Sequence, residues 1–421
     1  MQPTAGLIKV AAAAVDLVLP LTHPADAVLR NFFSVNHELG GHDRAFVAET
    51  VFTVLRHKRL LENLIAHPAP RRLVLGSLLK LQGYSVGQLE RLLKTEERDW
   101  AVQLKSADVE SLPAAVRLSL PDWLYERLVA EYSEEEALAF GRAMLKSASL
   151  DLRVNTLLAD RDQVIEELRA SGFAAEPTRW SPIGIRLAGK PAINRHASFT
   201  RGAVEVQDEG SQVLGYLLAP KRREMVVDFC AGAGGKTLMM GALMQSAGRL
   251  YALDVSEKRL NNLKQRLKRS GLSNVHPQLI QGENDIKVKR LTGKIDRVLV
   301  DAPCSGLGTL RRNPDLKWRQ SPEGVVELSA KQGAILNGAA ILLKPGGRLV
   351  YATCSVLPEE NEAIIERFLA THADFHVVSC QEILDEQRIA LESGVYLELR
   401  PQRHDTDAFF AAVLERHPHR K

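Results

Sequence analysis

The sequence predicts an α/β protein built on a doubly wound, mostly parallel sheet, preceded by a small α+β segment and an all-helical N-terminal domain. Three observations predict it. After Arg223, short apolar strands alternate with helices, at 226–229, 238–245, 249–253, 258–269, 298–300, 331–343 and 348–352. The strand at 298–300, Val-Leu-Val, is apolar throughout, as it must be when helices cover both faces of a sheet. A glycine-rich turn at 228–237 joins the first strand to its helix, where such sheets bind ligands.

Residues 1–148 read as helical because apolar side chains recur three and four apart, as in Phe46, Val47, Val51 and Val54, then Leu60, Leu61 and Leu64. Pro68 and Pro70 interrupt one helix, Pro113 and Pro121 punctuate later ones, and Ser133 with Glu136 has capping-box spacing. Arg44, Arg56, Lys58, Arg59, Arg71 and Arg72 make this domain locally basic, which suits either phosphate contacts or a solvated helix face. In the second segment, 149–218, residues 152–157 and 183–187 read as strands and 162–170 as a helix, and a further helix at 211–218 is closed by Pro220. The third domain, 219–421, carries the sheet.

Composition sets bounds on function. With 421 residues, 45% hydrophobic and 25% charged, the chain has apolar material for several packed domains and is neither disordered nor fibrous. A net charge of only +4 means that attraction to a polyanion has to be local. The four cysteines, Cys230, Cys304, Cys354 and Cys380, form no CxxC pair, which argues against a disulfide framework or an all-cysteine zinc site and for a reducing compartment. The apolar run at 10–15 is far shorter than a membrane span or the core of a secretion signal, so a soluble cytoplasmic protein without a membrane partner is expected.

The turn DFCAGAGGKT brings backbone N–H groups close to a ligand. Its tail imitates a phosphate-binding loop, but Cys230 stands where that pattern needs glycine, and Thr237 stands where a dinucleotide loop needs its third glycine. Asp254 ends the next strand, where a carboxylate can accept both hydroxyls of a ribose or cap the helix that follows. The stretch 282–285, Gly-Glu-Asn-Asp, offers polar groups toward an adenine edge.

Two further turns carry thiols. Asp301-Ala302-Pro303-Cys304 follows the strand at 298–300, and Thr353-Cys354-Ser355 follows that at 348–352. With one helix between them these strands are expected to be neighbours, bringing both thiols into one cleft. No histidine with ligand or base spacing accompanies them, so neither a metal site nor a cysteine hydrolase is expected. Cys230 and Cys380 read as structural, the first packed behind the glycine loop and the second on a late strand.

These residues resemble the Sun/Fmu-type RNA (cytosine-5) methyltransferase family, in DFCAGAGGKT from Asp228, DVSEKRL from Asp254, DAPCSGLGTLRRNPDLKW from Asp301 and KPGGRLVYATCS from Lys344. The likeness continues through Pro358-Glu359-Glu360-Asn361 and Asp407-Ala408-Phe409-Phe410, and begins upstream at Leu152-Arg153-Val154-Asn155-Thr156 and Val206-Gln207-Asp208. The helical region more loosely resembles the antitermination-factor-like RNA-binding domain of bacterial ribosomal members, and the middle segment the family's ferredoxin-like extension. Two positions depart from the family pattern, Glu283 where an aspartate is usual and Ala408 where a glycine is usual.

The resemblance implies a Rossmann-like seven-stranded methyltransferase sheet, S-adenosyl-L-methionine as cofactor, and small-subunit (16S) ribosomal RNA as substrate of a monomeric enzyme, with transfer RNA as the nearest alternative and an inactive assembly factor as the other. It implies cofactor contacts at Cys230, Ala231, Gly232, Ala233, Gly234, Gly235, Lys236, Asp254, Arg259, Glu283, Asn284 and Asp301. Cys354 is then the nucleophile that adds to cytosine C6, Cys304 serves product release, and Asp301 shares a proton at N3. Free cysteine has a pKa near 8.5, so the nucleophile needs local positive charge or helix N–H groups to become a thiolate. Lys258, Arg259, Lys264, Arg266, Lys268 and Arg269 read mainly as a solvated helix face, whereas Arg311, Arg312, Lys317 and Arg319 are the stronger candidates for RNA contact, with Trp318 either stacking on RNA or packing locally.

Overall fold

The computed structural model describes residues 3–418. They form two compact units, 3–147 with 309–321, and 148–308 with 322–418.

The first unit is helical. Helices Ala5–Val18, Gly41–Arg56 and Pro70–Lys80 pack through Ile8, Ala11, Val51, Val54, Leu75 and Leu78, all removed from water. The prolines act as the sequence suggests: Pro70 opens its helix, and Pro113 and Pro121 stand as N-caps of Ala114–Arg117 and Asp122–Tyr132. Ser133 Oγ accepts the backbone N–H of Glu136. The six basic residues singled out in this unit by the sequence are bound to protein groups. Arg44 donates to Leu39 O, Arg56 to Arg311 O, Arg59 to Leu120 O and Arg72 to Ala66 O, while Lys58 pairs with Glu62 and Arg71 with Glu97.

Residues 309–321 complete this unit and correct the expectation for Arg311 and Lys317, which are buried rather than presented to RNA. Lys317 Nζ donates to Arg56 O at 2.8 Å, and burial followed by the Arg56 charge pushes its pKa well below the usual lysine value. Trp318 packs locally, with Nε1–H donating to Leu55 O at 2.9 Å. Arg319 pairs with Asp315.

The second unit holds two sheets. Strands β1 (Leu150–Val154), β2 (Ala175–Pro177), β3 (Gly184–Leu187) and β4 (Val204–Val206) form an antiparallel sheet in the order β2-β3-β1-β4, with helix Arg161–Ala170 packed on it. Its edge is tied to helix Glu257–Ser270 by Glu205, which accepts paired N–H groups from both Arg266 and Arg269 at 2.7–3.1 Å. Two of the basic residues on that helix are therefore structural, while Lys258, Arg259, Lys264 and Lys268 are exposed. Glu205→Ala would leave two partly buried arginines without a counter-charge, and an unfolding free energy lower by about 2 kcal/mol in denaturant titrations is expected.

The larger sheet comprises β5 (Met225–Asp228), β6 (Arg249–Asp254), β7 (Val275–Leu279), β8 (Ile295–Asp301), β9 (Leu343–Thr353), β10 (Phe375–Val378), β11 (Leu397–Leu399) and β12 (Phe409–Arg416). Seven strands run in the order β10-β12-β9-β8-β5-β6-β7, and β11 adds an eighth beside β12. Strands β5 to β9 are parallel, and β12 enters antiparallel between β9 and β10. Helices cover both faces: Leu299 and Val350 point into one core with Val213, Leu217 and Leu238, and Val298 and Val300 into the other with Ile335, Leu336 and Ile365. The chain reverses between β5 and β8, which opens a crevice at the carboxyl ends of these strands. Cys380 is not on a strand as the sequence suggested. It is the first residue of helix Cys380–Glu386, where burial pushes its thiol up to about 12.

Candidate active site

The crevice is furnished by strand ends. Beyond β5 the chain turns through Gly232, at φ +56°, and Gly234, at φ +85°, into helix Gly235–Leu243. Gly234 has no alternative, since a Cβ there would lie 2.1 Å from Leu263 Cδ1. Asp254 at the end of β6 braces this loop, accepting the Gly232 N–H at 2.8 Å on one oxygen and the Ser256 N–H at 2.7 Å on the other. It does not cap the following helix, for that role falls to Ser256, whose hydroxyl accepts the Arg259 N–H. Arg259 itself is exposed. Glu283 and Asn284 follow β7 and are hydrogen-bonded to one another at 3.0 Å.

Asp228, the last residue of β5, is buried, and only one of its oxygens is engaged, by Thr237 Oγ1 at 2.6 Å. Its other oxygen, Oδ1, has no protein hydrogen-bond partner. Burial, reinforced by the Asp301 and Asp254 charges against the Thr237 hydrogen bond, pushes its pKa up to about 7. Cys230 lies close behind the loop against the apolar core, and burial raises its thiol as well.

Opposite the loop stands Asp301, at the end of β8, with Lys236 Nζ 2.6 Å from its Oδ2. Burial pulls the lysine down, but the charge of Asp301 outweighs it with help from Cys354, so its pKa is raised and it stays an ammonium ion. Neighbouring strands β8 and β9 are in register, Asp301 opposite Ala352, and the turns beyond them bring Cys304 Sγ and Cys354 Sγ to 3.4 Å. The Cys304 thiol is pushed well up, first by its hydrogen bond to Cys354 and then by burial.

Some contributors were not visible in sequence. Arg153 on β1 is wholly buried and donates to Gln207 Oε1 and to the carbonyl of Gly235, which fixes the start of the loop's helix. The Leu152-Arg153-Val154-Asn155 string was the only signal for it. Asn155 in turn bonds the carbonyls of Gly202 and Ser270.

Comparison with known proteins bears on what this crevice is. Residues 215–415 match the family model described as 16S rRNA methyltransferase RsmB/F, and residues 120–194 the ferredoxin-like domain of RsmF/B-like methyltransferases. The "Probable ribosomal RNA small subunit methyltransferase B" of Synechocystis is 34% identical over 90% of this chain and 93% of its own length. This chain belongs to the RsmB/F family of rRNA (cytosine-5) methyltransferases. Among solved structures, that of PH0851 superposes with a TM-score of 0.80 at 27% identity over 99% of this chain and 100% of that one. A methyltransferase homolog protein from Pyrococcus horikoshii does so at 0.63 and 28% identity, over 74% of this chain and 100% of that one.

The RsmB/F site depends on close backbone packing beneath the thiols. Gly308 N–H donates to Cys354 O at 2.8 Å, Ala408 N–H donates to Gly308 O, and a Cβ on Gly308 would lie 2.5 Å from Ala408 O and 2.7 Å from Cys354 O. Gly308→Ala is therefore expected to displace the Cys354 turn. The expected outcome is a loss of about 2 kcal/mol in thermal or denaturant melts and about 100-fold in turnover.

Proposed function

We propose that this protein transfers a methyl group from S-adenosylmethionine to C5 of a cytosine in small-subunit, 16S, ribosomal RNA, through a covalent bond between Cys354 and cytosine C6. The observation that carries the reading is the pair of thiols at adjacent strand ends beside the Lys236–Asp301 ion pair. The ribosomal substrate is supported by relatives named as small-subunit methyltransferases along nearly their whole length.

The residues present suit the cofactor. Asp228 Oδ1 is a buried acceptor without a protein partner, suited to an amino group. Asp254 is oriented by two backbone donors, and its carboxylate retains lone pairs for ribose hydroxyls. Gly232 adopts a conformation that leaves open space where a side chain would stand. Asp228, the loop 230–236 and Asp254 would hold S-adenosylmethionine, with Arg259, Glu283 and Asn284 toward its adenosine end. When bound, it supplies an electrophilic methyl group on a sulfonium sulfur.

The protein's own groups do the rest. Cytosine C5 is too poor a nucleophile to take the methyl unaided, and addition of the Cys354 thiolate at C6 converts the ring to an enamine with an electron-rich C5. Lys236 favours that thiolate by its charge, as opposite charges favour ionised forms. As charge develops at N3, Asp301 can relay a proton to it from the Lys236 ammonium to which it is hydrogen-bonded, leaving that lysine neutral. Once Cys354 is consumed in the adduct, the negative partner that raised the Cys304 pKa is gone. Cys304 can then give up its proton to solvent, and the thiolate so formed takes the C5 proton, whose removal lets the Cys354–C6 bond break.

A site that depends on two free thiols suits a reducing cytoplasm and a single chain supplies the whole site, so we place the enzyme there as a monomer. Bisulfite sequencing of total RNA from cells with and without the gene tests the function. A 16S cytosine protected only in the presence of the gene is expected. A protected cytosine in transfer RNA instead would overturn the substrate, and no gene-dependent cytosine at all would leave an RNA-binding factor without this activity.

A further inference from the structure

Both thiol-bearing turns carry the same dipeptide, Cys304-Ser305 and Cys354-Ser355. The cysteines meet each other, and the two serines turn the opposite way and meet a single carboxylate. It belongs to Glu360, in the short 3-10 turn Pro358–Glu360, and it has no exposed surface. Its Oε1 accepts the backbone N–H of Ser305 at 2.8 Å and Nε2 of Gln332 at 2.9 Å. Its Oε2 accepts the Ser305 hydroxyl at 2.5 Å and the Ser355 hydroxyl. The arrangement is anchored on every side. Gln332 also donates to Pro303 O, one residue before Cys304, and Tyr351 Oη donates to Glu360 O at 2.6 Å. Next in the chain, Asn361 accepts from Thr353 and donates to Ser355 O, so both neighbours of Cys354 are held.

All four donors to this carboxylate are neutral. A buried carboxylate is expensive to desolvate, and an apolar side chain of similar size would fill the space at lower cost. What it provides instead is a rigid link: four charge-assisted hydrogen bonds from two loops and a helix fix the separation of those loops. We propose that Glu360 is a positioning residue that acts through Ser305 and Ser355 to hold Cys304 and Cys354 at proton-transfer distance. Its catalytic consequence rests on the roles assigned above to the two thiols, but its geometric content does not.

The experiment separates the two. Full-length wild type and Glu360→Gln are treated, without RNA or cofactor, with a diazenedicarboxamide oxidant, whose N=N bond takes the two hydrogen atoms that the two thiols lose on forming a disulfide. The Cys304–Cys354 cross-link is followed by peptide mass spectrometry. The isosteric amide has one acceptor oxygen fewer to offer the four donors, so cross-linking about tenfold slower than wild type is expected. With RNA and S-adenosylmethionine, kcat should fall by about 100-fold at nearly unchanged KM, and the fraction of enzyme trapped as RNA adduct should rise. Should Glu360→Gln fail to fold, Ser305→Ala and Ser355→Ala, each lacking one hydroxyl, carry the same measurement and are expected to slow cross-linking. Wild-type cross-linking rates in the folded variants would overturn the proposal, as would a wild type in which these thiols never pair. Slow cross-linking in variants of a wild type that methylates no RNA would uphold the positioning role and defeat the assigned reaction.

Discussion

Cys354→Ala is expected to lose methylation by on the order of 10⁴-fold or more and to form no covalent complex with RNA, whereas Cys304→Ala should accumulate that complex. The two thiols are 3.4 Å apart, yet their electrostatics differ. The hydrogen bond to Cys354 and burial push the Cys304 thiol up, so it resists ionisation, and Cys354 is the thiol whose charge interacts with the Lys236 ammonium. Only an anionic sulfur attacks C6, which assigns the addition to Cys354. Elimination has a different requirement, a base for the C5 proton, and removing Cys304 removes that base without touching the nucleophile. Denaturing electrophoresis of protein incubated with RNA and S-adenosylmethionine reads both outcomes. An RNA-dependent slow band should appear with Cys304→Ala and vanish in the double variant. A band of full intensity with Cys354→Ala would sink the assignment.

The chemistry lies where the sequence is easiest to read, and there is a physical reason. Strands β5, β6, β8 and β9 are buried on both faces, so they appear as apolar runs, and parallel connection forces their turns to one end of the sheet. Asp228, Asp254, Asp301 and Cys354 mark those turns. Edge strands leave a weaker trace. β7, Val-His-Pro-Gln-Leu, lies at one border of the sheet, where a proline is tolerated and one face need not be apolar, so its sequence carries no strand pattern. β12, Phe-Phe-Ala-Ala-Val-Leu, has no alternation to distinguish a buried strand from a buried helix.

Charged residues misled more than apolar ones. Lys317 and Arg311 follow the Cys304 turn and read as an RNA-facing run, but a backbone carbonyl accepts from Lys317 Nζ inside the helical unit. Glu360 enters the sequence reading only within the Pro358-Glu359-Glu360-Asn361 stretch, and nothing local announces that donors 5, 28 and 55 residues away converge on it. Burial of a charge is decided by partners distant in sequence, and periodicity carries no record of them.

Asp228→Asn is expected to stabilise the free protein at pH 8 and weaken its hold on S-adenosylmethionine. Burial raises this carboxyl from 3.8 to about 7, so the fold favours its neutral form. For a group raised in the folded state, the associated stability is fully present below the unfolded pKa and is lost as pH climbs to the folded value. The window therefore runs from about pH 4 to pH 7, and the loss across it is on the order of 4 kcal/mol. Asparagine stays neutral throughout. It can still accept from Thr237, although its amide nitrogen takes the place of an oxygen that already lacked a partner, at a cost of roughly 1–3 kcal/mol. The variant should consequently melt a few degrees above wild type at pH 8, and the advantage should disappear near pH 4. The same exchange replaces the only unpartnered carboxylate oxygen of the loop by a donor, which an ammonium group cannot use, so calorimetric titration should show about tenfold weaker binding of S-adenosylmethionine. A melting advantage equal at all pH values would show that the buried charge is not its source. Unchanged affinity would remove Asp228 from the cofactor site.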